Sequence, residues 1–193
     1  MKRRQVLHVA LANGVALVAT PCVNAQPSPD IGALLKEGGC VVMLRHAQTD
    51  AGVGDPPNFE LDKCSTQRNL SAEGRAEAVA IGQWFASLAL RVSSVQSSAW
   101  CRCKDTATLA FGHFNVLAAL GSTFEERSKS SAQTQALRAR LARIAPDTFE
   151  VWVTHQVNVS ALTGESTSVG EALVLRATSP DGAMQILART RFT

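Results

Sequence analysis

Three strand-like segments, each delivering a cationic or imidazole side chain at its C-terminal end, restrict how this chain can fold. Val41 to Leu44 runs into Arg45-His46, Val92 to Ser98 passes through Ala99, Trp100 and Cys101 to Arg102, and Phe149 to Thr154 leads straight into His155. The first reads as a buried strand over Cys40 to Arg45, the second as a strand over Ser93 to Ser97 and the third as another apolar strand over Phe149 to Thr154. Open α/β sheets gather ligands at the C-terminal ends of their strands, so two guanidiniums and two imidazoles are expected to meet along one sheet edge.

The segments between these runs carry helical signals. Asp30 is placed to cap a helix over 31–36 that ends at Gly38-Gly39, and Ser71 to cap one reaching about Leu88, with Ala78, Gly82, Phe85 and Ala89 along one face. Further helices are expected over 100–111, 128–145 and 157–163, the last closed by Gly164. Leu137, Leu141 and Ile144 line one side of the fourth, leaving Arg138, Arg140 and Arg143 as a solvated face. Additional strands are expected over 114–120, near 171–176 and over 183–189. Residues 47–69, rich in Gly and Pro and without periodicity, form a long loop beside Arg45-His46. Strands alternating with helices imply an α/β fold with a mainly parallel sheet covered on both faces.

The chain has 193 residues, enough for one core. The first 25 read as a secretory signal peptide: Lys2, Arg3 and Arg4, a mostly apolar run from Val9 to Thr20, and small residues at Val23-Asn24-Ala25. That run is shorter than the roughly 20 residues a bilayer span needs. Arg3-Arg4-Gln5-Val6-Leu7 also resembles a twin-arginine signal, leaving two export routes open. The expected organisation is therefore 1–25 signal peptide and 26–193 catalytic domain, exported to the periplasm, with no membrane span in the mature form.

Without Lys2, Arg3 and Arg4, 16 basic residues face 16 acidic ones, so the mature domain lacks the basic excess of a nucleic-acid-binding protein. Cys40, Cys64, Cys101 and Cys103 remain. Cys40 lies within a strand and reads as a buried thiol, and Cys64 pairs with either Cys101 or Cys103. A redox or metal site at Cys101 and Cys103 is the rival reading, with only two ligands at that spacing.

A phosphate monoester presents three non-bridging oxygens that must be held while nucleophile and leaving group line up. Arg45 and Arg102 offer planar, paired donors. Neutral His46 offers a ring nitrogen as nucleophile, and a charged His155 would donate to an equatorial oxygen. Trp100 and Trp152 read as core or pocket wall, Gln156 and Asn158 as contacts to substrate or sheet edge, and His113 as a surface residue.

These residues resemble the histidine phosphatase superfamily. Leu44-Arg45-His46-Ala47 is similar to its Arg-His-Gly signature, with Ala for Gly, and Asn69 to Arg75 to the segment opening the next helix. Ser97-Ser98, Arg102 and Thr106-Ala107 resemble its Ser-Ser, Arg, Thr-Ala stretch, Thr154-His155 its second histidine motif, and Gly170-Glu171 its Gly-Glu pair. The resemblance implies a three-layer α/β/α sandwich, a metal-independent phosphoric monoester hydrolase without cofactor, His46 as phosphorylated nucleophile, and Arg45, Arg102 and His155 as phosphate ligands. The expected substrate is a phosphorylated small molecule, by analogy an envelope sugar phosphate. The alternative is a non-catalytic phosphate-ester-binding module of the same fold. Ser122 and Gln156 stand where the family's two branches carry their general acid, leaving Glu125, Glu126 or Asp105 to supply it.

Overall fold

The computed structural model describes residues 30–192; the expected signal peptide lies outside the described residues. Six strands, β1 (Cys40–Arg45), β2 (Ser94–Ser97), β3 (Asn115–Val116), β4 (Phe149–Thr154), β5 (Glu171–Ala177) and β6 (Met184–Arg191), form one sheet in the order β3-β2-β4-β1-β5-β6. β1, β2, β3 and β4 are mutually parallel, whereas β5 and β6 add antiparallel to β1 and to each other.

Five helices cover the sheet: α1 (Ile31–Glu37), α2 (Ala72–Ser87), α3 (Cys101–Phe111), α4 (Ser130–Leu141) and α5 (Gln156–Thr163). Side chains alternate across a strand, so β1 sends Val42 and Leu44 into a cluster with Leu35, Ile81, Phe85 and Ala107 from α1 to α3. Val41 and Met43 enter the opposite cluster with Leu137, Leu141, Val159 and Leu162 from α4 and α5. Two cores, one on each face, make the sandwich three layers deep.

Helix starts follow local chemistry. Asp30 Oδ1 accepts from the Ala33 amide at 3.1 Å and Ser71 Oγ from the Gly74 amide at 3.2 Å. Gly74 is required because a Cβ there would lie 1.8 Å from the Gln48 carbonyl oxygen, so the first turn of α2 rests on the loop after β1. Gly82 similarly brings α2 against the Ala110 backbone of α3. Ile81 replaces Ala89 on the buried face of α2; Ala89 lies beyond the helix, exposed, with φ +50°.

Two elements are shorter than expected, the third strand and α4, which runs from Ser130 to Leu141 rather than over 128–145. Instead of a strand over 114–120, pairing ends at Val116 and one 3₁₀ turn covers Ala118–Leu120. The chain curls there because Asn158 Nδ2 donates to the Ala119 and Gly121 carbonyls and Thr154 Oγ1 to that of Leu120. Asn158 is thus a structural brace. Nor do Arg138, Arg140 and Arg143 form a uniformly solvated face: Arg140 makes two 2.8 Å bonds to Glu150, and Arg138 donates to the Gly182 and Leu162 carbonyls at 3.3 Å. Only Arg143 of the three is exposed.

Candidate active site

Register brings the functional strand ends together. Arg45 pairs with Thr154 across β1 and β4, Ser97 with Val153 across β2 and β4, and the His46 amide donates to the Thr154 carbonyl at 3.0 Å. His46 and His155 therefore stand side by side, ring centroids 5.5 Å apart. Arg45, His46, Arg102 and His155 all line one cavity of about 520 Å³.

His46 is held in one tautomer. Its Nδ1 lies 2.9 Å from the Ala47 carbonyl oxygen, which can only accept, so Nδ1 carries the hydrogen and Nε2 keeps a lone pair. Burial pushes the imidazole down to about 3, opposed by the Ala47 bond and reinforced by Arg102, Arg45 and Arg68. The ring is neutral at physiological pH. Ala47 fits without strain: its φ is not positive, its amide donates to Thr106 Oγ1 at 3.1 Å, and its methyl packs with Leu70 and Ala78.

The guanidiniums are fixed from behind. Arg45 Nη1 donates to the Thr167 carbonyl at 2.5 Å and to Gln156 Oε1 at 3.3 Å. Arg102 Nη1 donates to Asp55 Oδ1 at 2.7 Å. The Nε–H of each arginine is buried with no protein acceptor, and unmatched buried donors cost roughly 1–3 kcal/mol each. An anion in the cavity is a natural acceptor for such groups.

His155 differs from the sequence expectation of a charged donor. Nη2 of Arg102, which can only donate, faces its Nδ1 at 3.4 Å, leaving Nε2–H to donate to Ser98 Oγ at 2.8 Å. Burial first, then the charge of Arg102, holds its pKa well below the usual value, so the ring is neutral when no anion is bound.

Asp55 and Arg68, from the long loop, were not singled out by the sequence. Asp55 accepts from Arg102, from Trp100 Nε1 at 3.0 Å and from the Arg68 amide at 3.0 Å. Burial alone would raise its carboxyl, but these bonds and the Arg102 charge hold it below the ordinary carboxylate range. Arg68 donates to the Gly54 carbonyl and to Thr49 Oγ1 and adds a third guanidinium to the cavity wall. The available signal was an acidic residue and an arginine in a Gly- and Pro-rich loop beside two other arginines.

Of the three possible acids, Asp105 is turned away, paired with Arg75 of α2 at 3.1 Å and absent from the cavity lining. Glu125 and Glu126 line the mouth, and Glu126 pairs with Lys129.

The disulfide joins Cys64 to Cys101, tying the long loop to the start of α3. Cys40 and Cys103 are buried thiols, pushed up by burial to about 11 and about 12 respectively. Cys103 Sγ lies 3.5 Å from His155 Nε2, but a thiol held protonated is a poor nucleophile, which argues against thiol redox chemistry at this pair. Trp152 is core, whereas Trp100 is cavity wall, and His113 is exposed.

Two imidazoles and three guanidiniums line one cavity at the C-terminal edge of the parallel strands of an α/β domain, a charge arrangement suited to holding an anion. The chain belongs to the histidine phosphatase superfamily (branch 1), whose model matches residues 41–177. The fold is similar to that of the protein histidine phosphatase SixA in its tungstate complex, at 17% identity and TM-score 0.52, over 79% of this chain and 96% of that one. It is likewise similar to mycobacterial glucosyl-3-phosphoglycerate phosphatase, at 19% identity and TM-score 0.58, over 78% and 98%. Mycobacterial hydrolase 1 matches at 19% identity and TM-score 0.60, over 81% and 100%. No curated protein sequence matches the chain. Among the described residues no helix is long and apolar enough to cross a membrane.

Proposed function

We propose that this protein is a metal-independent phosphatase that hydrolyses a phosphate monoester through a phosphohistidine on His46, outside the cytoplasm. The observation that carries this reading is the Nδ1–Ala47 bond, which leaves Nε2 of a neutral imidazole free in a guanidinium-lined cavity. Nε2 attacks phosphorus, the ester oxygen departs with a proton, and water then releases phosphate from the nitrogen. Arg45 and Arg102 hold the non-bridging oxygens, their fixed charges balancing a dianion. His155 joins them as a donor once the dianion raises its basicity enough to protonate Nδ1. Glu125, at the mouth and unpaired among the described residues, is the proton donor to the leaving oxygen.

Export is supported by the signal-like first 25 residues and by the Cys64–Cys101 disulfide, a bond favoured in oxidising compartments. The substrate is a phosphorylated small molecule. Quenching the enzyme during turnover of an activated aryl phosphate should trap acid-labile phosphate on His46, and His46→Ala should lose activity by at least about 10³-fold. Equal rates for the two proteins would refute the mechanism, and binding of phosphate esters without turnover would instead indicate a non-catalytic module.

A further inference from the structure

Half of the large apolar side chains that stand exposed among the described residues sit at one place. Val53 (87% exposed), Phe124 (48%) and Leu61 (39%) all line the mouth of the anion cavity, whereas Val79, Val116 and Ile186 are scattered over α2, β3 and β6. Phe59 and Trp100, ring centroids 6.1 Å apart, continue this wall inward. The two sides of the mouth approach each other: a Cβ at Gly54 would lie 3.5 Å from Phe124 Cε1. Exposing apolar groups together is unfavourable unless something covers them, and here the cationic floor of the same cavity specifies what does. At about 520 Å³ the cavity lies within the ~300–1,000 Å³ range of pockets that hold a whole small molecule.

We propose that the mouth is a leaving-group subsite selecting monophosphate esters of apolar alcohols, alkyl or aryl, over those of sugars or of anionic alcohols. This deepens the phosphatase reading and rests on it for the placement of the phosphate. The Gln156 amide is not open to a hydroxyl-rich leaving group, both its ends being engaged, with Arg45 and Thr167 on one side and Ser160 on the other, so Ser122 and the rim carboxylates are the polar side chains left to meet one at the mouth. Anionic leaving groups meet Glu125 at the rim, where the neighbouring Glu126 is paired with Lys129.

Calorimetric dissociation constants of methyl-, propyl- and hexylphosphonate for the full protein test the subsite without requiring turnover. A fully buried methylene multiplies affinity about fourfold, so at a rim that leaves half of each exposed the gain is about twofold per methylene. Hexylphosphonate should therefore bind about 30-fold tighter than methylphosphonate, and 6-phosphonohexanoate more weakly than hexylphosphonate. Val53→Ser, at a position too exposed to endanger folding, and Phe124→Ser should each flatten the series. Equal affinity across the series, no binding of any member, or equal binding of the carboxylated analogue would overturn the proposal. Hydrolysis of hexyl phosphate by wild type and His46→Ala reads the phosphatase mechanism separately. Chain-length-dependent binding without turnover would keep the subsite and remove the phosphatase, and turnover with a flat binding series would do the reverse.

Discussion

Asp55 holds Arg102 across 2.7 Å, with both side chains almost wholly removed from water. Its two carboxylate oxygens also take the Trp100 indole and the Arg68 amide, so one residue of the long loop sets the position of a guanidinium from α3. Breaking a buried pair by removing one charge costs about 3–5 kcal/mol, because the other charge is left unmatched.

Asp55→Asn should therefore lower stability by about 3 kcal/mol in denaturant unfolding. Its kinetic effect separates positioning from simple electrostatics. Losing a negative charge makes the cavity more attractive to a dianion, while releasing Arg102 spoils its alignment. The expected split is kcat reduced by about 100-fold with KM unchanged or lower. A raised KM at constant kcat would show that Asp55 does not act through the alignment of Arg102.

Both histidines titrate far below their unfolded value near 6.5, His46 at about 3. As pH falls below about 6.5 the unfolded chain takes up these protons and the native one does not, so stability declines toward pH 3 by up to about 1.4 kcal/mol per pH unit for each imidazole. Asp55, depressed in the native state, adds to the loss below its ordinary value near 3.8. Thermal melts between pH 7.5 and 4.5 should follow this slope, and His46→Asn should remove one proton's share. A melting temperature independent of pH over that range would mean that the imidazoles are not held neutral.

The same neutrality of His155 implies linkage to the ligand. With Nδ1 unprotonated beside Arg102 in the free protein, a bound dianion favours protonation there. Phosphate binding at pH 7 should take up about one proton beyond that of phosphate itself, measured by calorimetry in buffers of different ionisation enthalpy. His155→Asn should abolish the uptake. Identical heats in all buffers, after correction for phosphate, would assign His155 no role as a charged donor.

What the sequence disclosed and what it hid follow from how each element is held. β1 and β4 have the expected bounds because their apolar residues are nearly continuous, interrupted only by Glu150 near the start of β4, and Arg45, His46, Arg102 and His155 meet because parallel strands end on one edge. The third strand stops at Val116, short of its apolar run, because Leu117 to Leu120 are apolar yet curl, held by Asn158 and Thr154 from elsewhere in the chain. Asp55 and Arg68 were hidden because a loop without periodicity is ordered by tertiary bonds alone. The choice between Cys101 and Cys103 also needed three dimensions. Two residues apart on a helix, they face different ways: Cys101 meets Cys64, and Cys103 lies against Thr154 and His155.

The disulfide should matter through the loop it anchors. Cross-linking residues 37 apart restricts the unfolded chain by about 4 kcal/mol in the chain-entropy model. Cys64→Ser should lose much of this and loosen the segment bearing Asp55 and Arg68, giving faster hydrogen exchange there and lower kcat/KM. Cys103→Ser, which breaks no bridge, should retain the exchange pattern of the loop. Equal protection of the loop in Cys64→Ser would separate the bridge from the order of the site.

Glu125 and Glu126 share the cavity mouth, but Glu126 is drawn to Lys129. Proton donation matters most when the departing oxygen is strongly basic, and little when it leaves as a stable phenolate. Glu125→Gln should lower kcat for an alkyl phosphate by about 100-fold while leaving p-nitrophenyl phosphate within about fivefold. Glu126→Gln should slow neither by more than about fivefold. If Glu125→Gln slowed both substrates equally, its carboxyl would be contributing to binding or order rather than to protonation. If Glu126→Gln alone produced the leaving-group dependence, the ion pair with Lys129 would have to open in the catalytic complex, and the acid would be that residue.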